Sequence, residues 1–183
     1  MRVAVQRVTK AKVTVASETA GEIGPGMLLL VGVGREDSEE TCRRMASRIA
    51  RLRIFDDEAG KMNLSLLDTH GQALVVSQFT LYADSSRGLR PSFTKAGEPA
   101  LAKELYERFV SELSYLGVPT RTGRFGAHMA VELVNDGPVT LVLEELNESQ
   151  RSRGQGLQDS SPDTGPLESS NPGTLSERST AIG

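Results

Sequence analysis

Cysteine is nearly missing from this chain: Cys42 is the only one in 183 residues. That excludes an intrachain disulfide framework and a thiolate zinc site. A single thiol suits a reducing compartment, so a cytoplasmic location is expected. Histidine is almost as scarce, with only His70 and His128. His70 lies in the turn-like Asp68-Thr69-His70-Gly71, and His128 opens an expected strand. With no Gly-x-Ser-x-Gly elbow either, a Ser-His-Asp triad is excluded. Long apolar runs are also lacking. The longest, Met27 to Val31, falls far short of a membrane span. The opening Met1-Arg2-Val3-Ala4-Val5-Gln6-Arg7 is too interrupted for a signal-peptide core. Tryptophan is absent and the net charge is −3, which argues against a broad basic, aromatic-rich nucleic-acid surface. Local basic patches remain open. Neither a membrane nor DNA is an expected partner.

The same scarcity extends to cofactor motifs. No cluster of His, Cys, Asp and Glu has metal-ligand spacing. Asp56-Asp57-Glu58 lacks the alternating order and closing Glu of a calcium loop. Gly32-Val33-Gly34 follows a buried run, but Asp37 stands where a dinucleotide fingerprint needs its third glycine. No metal and no cofactor is expected. An enzyme built this way must draw much of its reactivity from the substrate.

What is present reads as a mixed α/β domain over 1–146 followed by a disordered tail over 147–183. The tail is rich in Ser, Gly and Pro and holds no aromatic residue, so it cannot offset its ordering entropy by burial. In the body, alternation around Val3-Val5 and Val13-Val15 predicts two half-buried strands. Met27–Val33 predicts a buried strand. Asp37, with Glu40 as a capping box, predicts the start of a helix over 38–52, with Cys42, Met45, Ile49 and Leu52 on its apolar face. A short strand near 53–56, an apolar strand over 73–82 and a basic loop over 83–96 follow. Pro99 opens a second helix, with Leu101, Leu105, Phe109, Leu113 and Leu116 inward. Strands near 119–125, 127–135 and 138–146 complete the body, with a hairpin at Asp136-Gly137. The fold expected is largely antiparallel, a barrel-like sheet layer with two main helices.

Two segments carry chemistry. Ser77-Gln78-Phe79-Thr80-Leu81 closes the apolar strand with polar groups. Polar residues there suit a site, and suit an ordinary strand end equally well. Asn135-Asp136-Gly137-Pro138-Val139-Thr140 sets a proline beside turn residues. A cis Gly-Pro bond and a plain tight turn are both compatible with it.

Taken together, the two segments resemble the hallmark motifs of the D-aminoacyl-tRNA deacylase family. Val5-Gln6-Arg7-Val8, Gly60-Lys61-Met62-Asn63, Arg90-Pro91-Ser92-Phe93 and Thr122-Gly123-Arg124-Phe125 agree with it. The resemblance runs from Met1 to about Leu146. It implies hydrolysis of the ester between a D-amino acid and the terminal adenosine of tRNA, in a homodimer. Gly137-Pro138 would be a cis dipeptide entering the partner subunit's pocket, where its carbonyls exclude L side chains, and Arg7 would hold it. Backbone groups of Ser77, Gln78 and Phe79 would polarise the ester carbonyl. Thr80 is the obvious nucleophile by residue type, yet the resemblance assigns the chemistry mainly to the ribose 2′-hydroxyl. Phe79 and Met129 would line the adenine pocket. Arg87, Arg90 and Lys95 of the basic loop are expected to touch tRNA phosphates. Glycyl-tRNA, including glycine misattached to tRNA for alanine, would be cleaved too. The competing expectations are a paralogous deacylase of L-alanyl-tRNA for threonine and a non-catalytic RNA-binding module.

Overall fold

The computed structural model describes residues 1–147. The tail expected over 147–183 lies, beyond Asn147, outside the described residues.

The frame is one long strand. β1 runs from Arg2 to Val15 without a break, where the sequence predicted two strands. The polar residues Thr9 and Lys10 between its apolar halves mark a change of face. Val3 and Val5 face one core cluster, whereas Val8, Ala11 and Val13 face the other. The register shift between Val8 and Lys10 makes the change, because an extra residue bends a strand. β2 (Glu18–Ile23) pairs with the second half of β1. β3 (Gly26–Gly32) pairs with its first half. β6 (Gln72–Ser77) and β7 (Thr120–Thr122) extend the sheet in parallel beside β3. β8 (Ala130–Glu144) covers the other edge of β1.

The sheet curls into a nearly closed barrel. A Cβ on Gly21 of β2 would lie 2.7 Å from the Thr122 carbonyl of β7, so the two ends of the sheet meet only because Gly21 has no side chain. Val8, Val13, Ile23, Leu28, Leu74 and Val76 fill the interior. The outer face carries Leu29, Val31 and Val75 and is covered by α1 (Glu39–Ala50) and α3 (Pro99–Tyr115). Phe109 and Leu113 of α3 are fully buried there, each contributing about 2–3 kcal/mol. The short helix α2 (Leu66–Thr69) and the small β4–β5 ribbon (Phe55–Asp56 with Met62–Leu64) lie in the connection between α1 and β6.

Several boundaries differ from expectation for local reasons. Ser38, not Asp37, caps α1, and its capping-box partner is Thr41 rather than Glu40. Ser38 has the extended backbone a cap needs, whereas the Asp37 carboxylate turns back to accept the Gly34 N–H at 2.7 Å. The strand expected over 73–82 stops at Ser77, and Phe79–Tyr82 form a single 3-10 turn. The three strands expected after 119 are the short β7 and one continuous β8, so the hairpin at Asp136-Gly137 does not exist. Pro138 is tolerated inside β8 because the ladder to β1 is interrupted there by a bulge.

Candidate active site

The end of β6 builds a cavity. Ser77 sits beside Val31 in the parallel ladder, and the Gln78 N–H donates to the Val31 carbonyl at 2.7 Å. The chain then leaves the sheet into the 3-10 turn, which has no side-chain cap. The N–H groups of Phe79 and Thr80 therefore meet no acceptor among the described residues. Beside them opens a largely apolar cavity of about 320 Å³, lined by Val31, Val33, Ser77, Gln78, Phe79, Tyr106 and Phe125, among others. Ala96 and Gly97 form a wall, fixed by the Gly97 N–H donating to Val33 at 2.9 Å. The Phe79 ring is 58% exposed and meets Phe93 edge to face, centroids 5.1 Å apart.

No carboxylate, lysine or histidine lines this cavity among the described residues. The Tyr106 hydroxyl donates to the Val75 carbonyl at 2.8 Å, and burial pushes its pKa further up, so it stays protonated. The Thr80 hydroxyl accepts a hydrogen bond from the Gln78 side-chain amide and has no base beside it. His70 caps α2 in a left-handed conformation at another cavity, with Arg7 and Asp136. What the site offers on its apolar wall is the Phe79 N–H, unclaimed among the described residues; Thr80 follows it outside the lining. A donor there suits a developing oxyanion.

The second segment lies elsewhere on the same chain. Thr140 pairs with Gln6 and Asn135 with Val8, so residues 136–139 bulge out opposite Arg7 alone. The Gly137-Pro138 peptide bond is cis. Arg7 is 6% exposed and sits beneath the bulge. Its guanidinium donates to the Asp136 carbonyl at 3.2 Å and the Ile54 carbonyl at 2.7 Å, and pairs with the carboxylates of Asp136 and Asp56. The Asn135 amide closes the neck, donating to the carbonyls of Arg7 and Val139, each at 3.1 Å. Gly137 has φ +122°, and a Cβ there would lie 3.0 Å from the Arg7 guanidinium. Gly137 and Pro138 are themselves exposed. Arg7 faces Met27 and Ala73 across the sheet, whereas Ser77 aligns with Val31 and Val3. The two segments are thus four residues apart along the strands, roughly 13 Å. One chain does not bring them together.

The other sequence-derived residues are dispersed. Met129 packs behind Gly123 against the barrel interior and does not line the cavity. In the basic loop, Asp84 and Ser92 exchange backbone hydrogen bonds, both 2.8 Å. The Asp84 carboxylate accepts from the Ser86 hydroxyl and backbone and from Lys95, which hold its pKa down at about 2. Lys95 is thereby tied to the loop, and Arg87 and Arg90 project from it without a partner among the described residues.

Residues 4–144 match the family model described as D-Tyr-tRNA(Tyr) deacylase. The chain belongs to this deacylase family. The D-aminoacyl-tRNA deacylase of Thermotoga petrophila is 57% identical over 144 residues, 79% of this chain and 97% of that protein. That of Deinococcus radiodurans is 56% identical, over 79% of this chain and 99% of its own. Among solved structures, the c-Myc DNA Unwinding Element Binding Protein is 39% identical, with a TM-score of 0.77, covering 80% of this chain and all of that one. A probable eukaryotic D-amino acid tRNA deacylase shares the fold at 17% identity, with a TM-score of 0.68, over 78% of this chain and 97% of its own. Against this deacylase framework, sequence reasoning missed the cavity walls. Tyr106 stood next to Leu105 on a helix read only for its apolar stripe. Phe125, in the wall, and Phe93, which meets the Phe79 ring, stood in stretches noted for resemblance alone, and an aromatic in each was the available signal.

Proposed function

We propose that this chain hydrolyses the ester of D-aminoacyl-tRNA, releasing the free D-amino acid and tRNA. The observation that carries the proposal is the unclaimed Phe79 N–H in the wall of an apolar cavity that no protein base lines among the described residues. A water oxygen adds to the ester carbonyl carbon, and the carbonyl oxygen takes up negative charge. The Phe79 N–H holds that oxyanion. The ribose 2′-hydroxyl takes up the proton the water releases as it passes its own to the departing 3′-oxygen. The bond between carbonyl carbon and 3′-oxygen then breaks. Thr80 is a structural residue in this scheme, and Gln78 contributes position rather than its own N–H, which Val31 already engages.

The working site is two-chained. In a homodimer, Gly137-Pro138 of the partner subunit enters the cavity beside Ser77–Thr80. Its carbonyls occupy the space an L side chain needs. The separation of the two segments on one chain, and the tight hold of Arg7 on an exposed tip, support this arrangement. The exposed Phe79 ring stacks on the terminal adenine, and Met129 backs the 123–129 loop from behind Gly123. Arg87, Arg90 and Lys95 meet tRNA phosphates, and the cytoplasm is where the reaction takes place.

Deacylation of D- and L-tyrosyl-tRNA tests the proposal. Hydrolysis of the D ester with the L ester spared is expected. Equal rates on both would sink the exclusion mechanism. Cleavage of neither would favour a binding-only protein, as the name of the 39%-identical structural relative suggests for that molecule. A site that works by excluding L side chains cannot exclude glycine. Glycyl-tRNA is therefore expected to be cleaved, including glycine on tRNA for alanine, and absence of its turnover would contradict the scheme.

A further inference from the structure

Five of the eighteen Lys and Arg residues in 1–147 crowd into eleven positions: Arg43, Arg44, Arg48, Arg51 and Arg53. Helical spacing puts the first four on the face of α1 opposite its buried side, which is Cys42, Met45, Ala46, Ile49 and Ala50. Together with Arg53 they line an open groove of about 860 Å³. Among the described residues only Glu40 brings a carboxylate into the lining of that groove, pairing with Arg43 at 2.7 Å and Arg44 at 3.5 Å. Glu145 holds Arg44 from the side at 2.9 Å. Arg48 and Arg51 donate to the neutral acceptors Glu144 carbonyl and Ser47, and pair with no carboxylate among the described residues. The chain as a whole is acidic, at −3, so this face is a local reversal of sign.

Its direction matters. β3 runs from Met27, opposite Arg7, to the cavity wall at Val31. α1 then returns, and Ile54 ends beside Arg7 again. The arginine face, from Arg43 to Arg51, therefore runs roughly 12 Å along the direction from the cavity end of the sheet toward the Gly137-Pro138 end. We infer that the α1 arginine face is a docking surface for the phosphate backbone of tRNA, distinct from the 83–96 loop. Guanidinium groups suit phosphate oxygens, and such contacts set position without reading sequence. The inference rests on the deacylase reading for the identity of the nucleic acid.

The test compares the full chain with the triple variant R43Q/R48Q/R51Q. Two substrates are used: D-tyrosyl-tRNA and 3′-O-D-tyrosyl adenosine, which has no phosphate. Affinity for uncharged tRNA is measured as a function of salt. The variant is expected to lose about tenfold or more in kcat/KM on the tRNA ester and to match the parent on the nucleoside ester. Its salt dependence should flatten by roughly 2–3 in log–log slope, one per lost phosphate contact. Parent-like cleavage of D-tyrosyl-tRNA with an unchanged slope overturns the inference and leaves the deacylase reading intact. Weaker, flatter tRNA binding in a chain whose parent cleaves neither ester overturns that reading and leaves the docking surface standing. Unchanged tRNA affinity with lost self-association in sedimentation assigns the arginines to a protein interface instead, and also overturns it. A thermal melt matching the parent establishes that the variant is folded.

Discussion

The cavity end and the bulge end of this molecule solve opposite problems. At the cavity, the chain drops out of the sheet and leaves the Phe79 and Thr80 N–H groups without partners among the described residues, and the Phe79 ring lies in solvent. At the bulge, the Asn135 amide closes the neck on the carbonyls of Arg7 and Val139, and a buried arginine grips the loop from below. One region is left open to receive, and the other is held so that it can be presented. An enzyme that discriminates handedness by exclusion needs both properties. A plug that yields does not exclude, and a pocket with satisfied donors does not bind. Placing them at opposite ends of one sheet lets each be optimised without cost to the other.

The largest effect should come from the substrate rather than the protein. D-aminoacyl-tRNA ending in 2′-deoxyadenosine is expected to react about a hundredfold or more slowly, the usual range for removing an acid–base group. A rate within threefold of normal would return the chemistry to the protein and erase the contrast between an open cavity and a reactive one. Arg7→Ala should come next. It strips the bulge of its grip and leaves the Ile54 carbonyl buried without its donor, costing roughly 2–4 kcal/mol in urea unfolding. It should also let L esters through. A variant that stays stable and selective would show that the bulge supports itself. Phe79→Ala removes a stacking platform, worth about 1–3 kcal/mol for an aromatic on a base. It should raise KM on tRNA and leave the melting temperature in place, because that ring is already exposed. Smallest of all, Thr80→Ala should alter kcat by no more than about threefold. A hundredfold loss would restore Thr80 as nucleophile.

The sequence made one of these regions far easier to read than the other. The apolar run into Ser77 and the periodicity of both main helices were visible, because burial imposes a period that side chains record. Ser77-Gln78-Phe79-Thr80 was legible as a strand end. That Phe79 and Thr80 keep free donors was not, since it depends on where Val31 and Val33 place their carbonyls. The bulge was misread outright as a hairpin. Asp136-Gly137 has the composition of a turn, and Pro138 has that of a strand break. Only the pairing of β1 on both sides of residues 136–139 shows that the strand resumes. Arg7 was legible only through resemblance. Its alternation with Val3 and Val5 put it on the buried face, but its partners come from Ile54, Asp56 and Asp136, far away in sequence. Neither Tyr106 nor Phe125 stood out in the sequence, because Tyr106 joins the wall only once α3 has docked on the sheet and Phe125 only once β7 has paired with β6.

Because both flanks of the 136–139 bulge are zipped to the same strand, the segment behaves as an interchangeable cassette. Gly137, at φ +122°, and Asp136, paired with Arg7, are committed to holding it, while the exposed Pro138 is not. In the proposed scheme, a lineage or an engineer can therefore change what the tip rejects at Pro138 without rebuilding the barrel that carries it.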